Sequence, residues 1–336
     1  MNVLVTGGAG YIGSHTVRLL RERGYGVVVL DSMEFGHREA VGDTPLVEGN
    51  INDGPLLERT FAEHSVDAVI HFAAYKAPGE SMEQPERYFD NNVCGTLALL
   101  QAMHRSGVNK IVFSSTCAVY GTPKTLPVSE QNELHPESPY GESKLMVEQM
   151  LKWFDVCHGV RFASLRYFNA AGAAHDAQIG EDSNFTLNLI PLVMKAALGR
   201  SPFVKVFGTD YPTPDGTAIR DYIHVMDLAD AHIKALEYLT ATQQSQIFNL
   251  GTGKGSSVQE VVDASKRASG IDIPVEYAAR RPGDPVAIYA DNTKARELLG
   301  WEPRYGLEEI IQSAWRWHST HPDGYATAST SDQATS

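Results

Sequence analysis

The 336-residue chain has only three cysteines, Cys94, Cys117 and Cys157, and they are widely and unevenly spaced. That excludes a disulfide framework and a cysteine zinc site, and it suits a reducing compartment. No apolar run is long enough to span a bilayer. No basic segment precedes an apolar stretch near Met1, so a secretory leader is not expected and a cytoplasmic protein is. Positive charge is scarce: 28 Lys and Arg stand against 41 Asp and Glu, a net charge of -13. Nucleic acid and anionic membranes call for a basic face, so neither is an expected partner. A small anionic substrate held by a few local arginines is compatible. The 12 histidines show no helical His-Glu-His pairing, so no metal is expected. Internal repeats are lacking too.

What the sequence does have starts at once. Val3-Leu4-Val5-Thr6 is a β-branched apolar run. The turn Gly7-Gly8-Ala9-Gly10-Tyr11-Ile12-Gly13 follows, and Ser14 to Leu20 has helical apolar spacing. Glycines here let the backbone approach a pyrophosphate at the helix N-terminus, where free N–H groups point outward. A second strand, Val27 to Leu30, ends in Asp31. An acid there binds adenosine ribose hydroxyls and repels a 2′-phosphate, which favours NAD over NADP.

Strands and helices then alternate. A loop is expected over Ser32–Gly42, a strand over Pro45–Glu48 and a helix over Pro55–His64. Asp67–Phe72 is a nearly continuous apolar run, as in a strand covered on both faces; His71 within it reads as a core residue. Ala73–Gln84 reads as a loop, Pro85–Ser106 as one long helix and Lys110–Ser115 as a strand. After the loop Thr122–Pro139 come a helix, Tyr140–Cys157, and a strand, Val160–Leu165. The pattern predicts an α/β fold: a Rossmann-type doubly wound parallel sheet with a smaller mixed α/β substrate-binding lobe. Residues 1–169 are assigned to the sheet domain and 170–322 mainly to the lobe. The lobes interleave, Phe248–Gly251 being a candidate to rejoin the main sheet. Residues 323–336 read as a disordered tail.

Tyr140-Gly141-Glu142-Ser143-Lys144 places Tyr and Lys on one helix face. An ammonium nearby favours phenolate, so the pair suits proton removal from a hydroxyl during oxidation. The strand end Ser114-Ser115-Thr116 offers a hydroxyl, from Ser115 or Thr116, to the same substrate oxygen. A hydrolase elbow is rejected because Leu145 replaces the closing glycine and Ser143 lies inside a helix.

Four further stretches, Tyr88-Phe89-Asp90-Asn91-Asn92-Val93, Ser138 to Glu148, Leu165-Arg166-Tyr167-Phe168-Asn169 and Arg220 to Ala229, join these. With them the chain resembles the extended short-chain dehydrogenase/reductase family, and within it the branch that epimerises UDP-sugars. The likeness runs from Met1 to about Gly324. It implies that Gly7, Gly10, Tyr11, Ile12 and Gly13 cradle the NAD pyrophosphate and that Asp31 holds its ribose. Asn50 and Ile51 would flank adenine. Phe72, Ala73, Ala74, Lys76, Asn91 and Tyr167 would line the cofactor. Tyr140 would be the base, Lys144 its cation and Thr116 the hydroxyl donor. Thr116 stands where the family usually has serine, and Asn50 where it usually has aspartate.

For the nucleotide sugar, the resemblance implies contacts from Lys76, Phe168, Asn169, Asn188 and Leu189, with a strand Lys205-Val206-Phe207 against uracil. Arg220 and Arg281 would clamp the diphosphate and Asp284 the uridine ribose. It further implies interconversion of UDP-galactose and UDP-glucose, and a homodimer built on the helices Pro85–Ser106 and Tyr140–Cys157. Dehydratase chemistry lacks its acid, because Cys117-Ala118 follows Thr116. Alternatives are 4-epimerisation of another UDP-sugar (a UDP-N-acetylhexosamine or a UDP-pentose), with Ile288 at the variable position, and a non-catalytic NAD-binding regulator. The latter would generally lack the Tyr/Lys pair.

Overall fold

Three β-branched residues, Val3, Val5 and Thr6, suit the opening strand, Asn2–Thr6, in which Val3, Leu4 and Val5 are completely buried. In the computed structural model, which describes residues 1–185, 188–281 and 284–325, this strand sits inside a seven-stranded sheet. Across the sheet the order is Gln246–Leu250, Arg161–Tyr167, Lys110–Ser114, Ala68–His71, Asn2–Thr6, Gly26–Asp31 and Leu46–Glu48. Every pairing is parallel. The chain order reverses between Asn2–Thr6 and Ala68–His71, and open α/β sheets bind ligands at the carboxyl edge of such a switch point.

Helices cover both faces, which is why the strands are apolar on both. One layer packs Val17, Leu20, Leu228 and Leu236 against Val3, Val5 and Ile70. The other packs Leu57, Phe61, Leu99, Met103, Val147 and Leu151 against Leu4, Val28 and Ile111. His71 is a core residue: its Nδ1 lies 2.6 Å from the Thr6 hydroxyl and its Nε2 2.9 Å from that of Thr96. Phe248 does rejoin the main sheet, on the edge strand Gln246–Leu250.

Several expected elements differ. The loop Ser32–Gly42 contains a helical turn, Arg38–Val41, and the loop Ala73–Gln84 contains a helix, Pro78–Glu83. Pro78 starts the latter, since proline suits a first helical turn. The long helix expected over Pro85–Ser106 is interrupted. Pro85–Tyr88 leads into a π-helical turn, Phe89–Cys94, before Gly95–Arg105 resumes the α-helix. Tail residues also differ at their start. Tyr325 is buried, stacks on His37 with ring centroids 4.3 Å apart, and its hydroxyl donates to the Gly180 carbonyl at 3.1 Å. The rest of the expected tail, 326–336, lies outside the described residues.

Between Arg161–Tyr167 and Gln246–Leu250, and again beyond, the chain builds three small sheets. Asn169–Ala171 pairs with Tyr222–His224, and Val204–Phe207 with Val275–Ala278. Ile219–Arg220 lies between Ser256–Ser257 and Ala287–Ile288. No helix among the described residues is long and apolar enough to cross a membrane.

Candidate active site

The glycine turn joins the first strand to the helix Tyr11–Glu22. Gly7 has φ +69°, and a Cβ there would lie 2.5 Å from the Ala73 nitrogen; one on Gly13 would lie 2.2 Å from the Gly7 carbonyl. No side chain caps this helix, so its first N–H groups are left for a ligand, as at anion-binding helix starts. Asp31 ends the neighbouring strand. Its carboxylate accepts from the Ala9 and Met33 N–H groups, each at 3.0 Å, and burial raises its pKa. A close-packed turn, an open helix end and a carboxylate on the next strand fit a dinucleotide without a 2′-phosphate.

Around this turn the implied neighbours divide. Phe72, Ala73 and Ala74 follow the strand Ala68–His71 and are half-buried at the switch point. Ile51 instead turns its side chain into the core against Gly95, so only its backbone is available to an adenine. Asn50 is exposed, and its side chain accepts from the Asn52 N–H at 2.9 Å. The Asn91 amide donates to Asn92 Oδ1 at 3.0 Å. Asn92 itself, which sequence reasoning missed, is buried. It accepts from the Tyr75 N–H at 2.9 Å and donates to the Tyr75 carbonyl and the Ser143 hydroxyl, each at 3.1 Å. The paired asparagines in the π-helical turn were the only signal for it.

Tyr140 and Lys144 share the first turns of the helix Pro139–His158. Ser138 caps that helix by accepting from the Gly141 N–H at 3.2 Å. Gly141 matters for closeness: a Cβ there would lie 2.8 Å from the Ala118 carbonyl, so glycine lets the helix seat against the turn that follows Thr116. Lys144 is buried, and its Nζ donates to the Ser114 carbonyl at 2.9 Å. Burial lowers its pKa to about 7. The Tyr140 phenol is pushed up by burial, while a hydrogen bond with the Thr116 hydroxyl acts in the opposite direction. Tyr167 borders the pair, its hydroxyl 2.7 Å from that of Ser114. Of the two hydroxyls considered, Ser115 is turned away. It donates to Glu148 at 2.6 Å, inside a buried network where Arg166 grips Glu148 through two nitrogens, at 2.9 and 2.5 Å.

Two residues past Tyr167 a cleft opens. Asn169, Asn188, Leu189, Lys205, Phe207, Arg220, Arg281 and Asp284 all line it, although they come from separate small sheets, loops and the start of the helix Leu189–Ala197. Arg220 is ion-paired with Asp284, and the Arg281 guanidinium lies 3.8 Å from the Phe207 ring centroid. Strand alternation buries Val206 away from the cleft, in a cluster with Val204, Val262 and Ile273, so only Lys205 and Phe207 present side chains. Phe168 is likewise buried, beside Leu145 and Ile288. Lys76 reaches from the cofactor edge to Glu181, 3.6 Å away. Glu181 also lines the cleft and accepts from the Asn188 amide at 2.8 Å; no motif marked it in the sequence.

With this geometry in view, comparison with known proteins is decisive. A family model described as GDP-mannose 4,6 dehydratase matches residues 4–314. UDP-glucose 4-epimerase of Halalkalibacterium halodurans is 51% identical over 328 residues, 97% of this chain and 98% of that protein. The chain belongs to the UDP-glucose 4-epimerases of the extended short-chain dehydrogenase/reductase family. Solved members superpose closely. The UDP-glucose 4-epimerase of Brucella ovis, in complex with NAD, has a TM-score of 0.92 at 47% identity, covering 94% of this chain and 97% of that one. That of Bifidobacterium longum, in complex with NAD+ and UDP, has a TM-score of 0.91 at 42% identity, covering 97% and 100%.

Proposed function

We propose that the protein interconverts UDP-galactose and UDP-glucose, with NAD held at the switch point between oxidation and re-reduction of the sugar C4. The observation that carries this reading is the meeting of two sets of side chains along one strand end. Tyr167 borders Thr116, Tyr140 and Lys144, and two residues further on Asn169 opens the cleft with Arg220, Arg281 and Asp284. Gly7, Gly10, Tyr11, Ile12 and Gly13 would hold the pyrophosphate and Asp31 the adenosine ribose. NAD, when bound there, supplies the oxidant that takes up the C4 hydrogen with its electron pair and later returns it. Tyr140 takes the O4 proton and gives it back, while Thr116 hydrogen-bonds the same oxygens. Lys144 in its protonated form favours the phenolate, and the helix N-terminus beneath Tyr140 favours it further. Asn169, Asn188, Arg220, Arg281 and Asp284 would fix the UDP portion. The hexose, held less firmly, turns its other face toward Tyr140.

Elimination, the chemistry in the matching family model's description, finds no support in the residues after Thr116. Burial pushes the Cys117 thiol up to about 12, and Ala118 has no acid. A second copy of the chain is part of the proposal. Leu97, Trp153 and Val156 are exposed on the helices Gly95–Arg105 and Pro139–His158, which suits pairing of those helices between subunits. A cytoplasmic setting suits the three unpaired cysteines.

Incubation of the purified protein with UDP-galactose, without added NAD, tests the reading. Formation of UDP-glucose is expected. Tyr140→Phe should lose roughly 10²–10⁴-fold in turnover while keeping its bound dinucleotide. Failure of NAD-loaded wild type to convert the sugar would overturn the proposal.

A further inference from the structure

The strand order places Asn2–Thr6 between Gly26–Asp31 and Ala68–His71. Loops leaving those two neighbours therefore stand on opposite sides of the glycine turn at the carboxyl edge. A bond joining the two loops has to cross above that turn. The structure has such a bond. The Tyr75 hydroxyl donates to Glu34 Oε2 at 2.7 Å. Arg87 donates to Glu34 Oε1 at 2.5 Å and to Glu80 at 2.7 Å, and its guanidinium lies 4.0 Å from the Tyr75 ring centroid.

The far side of this network is rigid. Tyr88 is fully buried and donates to Glu80 at 2.7 Å, which orients the carboxylate that holds Arg87. The Tyr75 backbone is held on both its N–H and its carbonyl by Asn92, and Asn92 reaches Ser143 on the helix of Tyr140. On the near side Glu34 lies in the loop between Asp31 and His37, where the His37 N–H donates to the Ala9 carbonyl at 3.0 Å. The loop is thus pinned at its base, and the Glu34 side chain carries it across to Tyr75 and Arg87.

We propose that Glu34, Tyr75 and Arg87 form a clasp that gates exchange of the dinucleotide. The proposal rests on the reading that the Gly7–Gly13 turn and Asp31 hold NAD. The three side chains spend their hydrogen bonds on one another and, through Arg87, on Glu80. They therefore govern passage rather than affinity. Opening the clasp exposes the glycine turn, and closing it lets many catalytic cycles run on one cofactor molecule. Glu34, Tyr75 and Arg87 are positioning residues in this scheme and touch no reacting atom.

Exchange of radiolabelled NAD on the holoenzyme, followed by rapid gel filtration, tests the clasp. Release and uptake should both quicken about tenfold in Glu34→Ala and Arg87→Met, as expected for the loss of a charge-assisted pair with its hydroxyl partner. The equilibrium affinity should stay within about twofold, because both rates change together. Arg87→Lys should restore part of the barrier, keeping the charge but not the planar fork. Wild-type exchange should quicken with added KCl, whereas exchange in Glu34→Ala should not respond. Equal exchange rates in NAD-loaded wild type and both variants would overturn the clasp alone. Weaker affinity with unchanged uptake would place Glu34 on the dinucleotide itself and also overturn the gate. Wild-type protein that neither carries nor takes up NAD would overturn the functional reading and the clasp with it.

Discussion

At Thr116 one hydroxyl has two duties. It accepts from the Ala118 N–H at 3.1 Å, which caps the short turn Cys117–Tyr120, and it bonds the Tyr140 phenol. The second duty favours the phenolate, so removing the hydroxyl should raise the Tyr140 pKa. Thr116→Val is expected to lower turnover at neutral pH by about tenfold and to move the rising limb of the pH–rate profile to higher pH. Thr116→Ser should keep both. A Val variant with an unmoved profile would detach the hydroxyl from the proton transfer. That Tyr140 and Lys144 share the start of one helix was legible in the sequence from their spacing. The low pKa of Lys144 was not. It depends on burial beneath Phe113 and Ser114, a strand away in the chain, with the Nζ 4.9 Å from the Phe113 ring centroid.

The helix that carries the pair is held from behind. Glu148, one turn beyond Lys144, is fully buried and its carboxylate is gripped by Arg166 from the adjacent strand Arg161–Tyr167. Arg166 also donates to the Tyr120 hydroxyl at 2.9 Å, and Tyr120 donates to Asn249 at 2.7 Å. Arg166→Met would leave a buried carboxylate without its partner. A loss of about 3–5 kcal/mol in urea unfolding is expected. Glu148→Leu combined with Arg166→Met should recover most of it, since paired apolar replacements of a buried ion pair are often tolerated. Apolar periodicity located these elements well, because strand and helix spacings are local signals. It overran at Pro85–Ser106. A π-helical turn changes register by one residue without changing which residues are apolar, so the interruption at Phe89–Cys94, and with it the role of Asn92, was hidden inside an apparently uniform helix. The cleft was beyond reach in another way. Arg220 sits on a two-residue strand and Lys205 on a four-residue one, too short for any period to register. Family resemblance, not spacing, pointed to them.

For the molecule as a whole, acid should be the chief enemy. Burial holds His71 and His224 down to about 3, and His15, His232 and His318 to about 4. An unfolded histidine takes its proton near 6.5. Between roughly pH 6.5 and 4 the unfolded chain therefore binds more protons than the folded one, and stability falls as pH falls through that window. Asp31, Asp221 and Asp227, raised by burial, take protons in the folded protein and offset part of the loss at its acid end. The urea midpoint should drop steadily from pH 7 to pH 5, with net proton uptake on unfolding. A flat midpoint would mean that the histidines titrate normally in the fold.

The late return of Gln246–Leu250 to the sheet has a consequence for synthesis. It pairs with Arg161–Tyr167, so the main sheet has an open edge for as long as the intervening chain is still being made. That edge includes the fully buried Ala163 and Leu165. An uncovered apolar strand edge invites pairing with neighbouring chains. The nascent protein on the ribosome therefore needs shelter until Leu250 has left the exit tunnel, and a pause in translation within the cleft-forming segment would be its most hazardous moment.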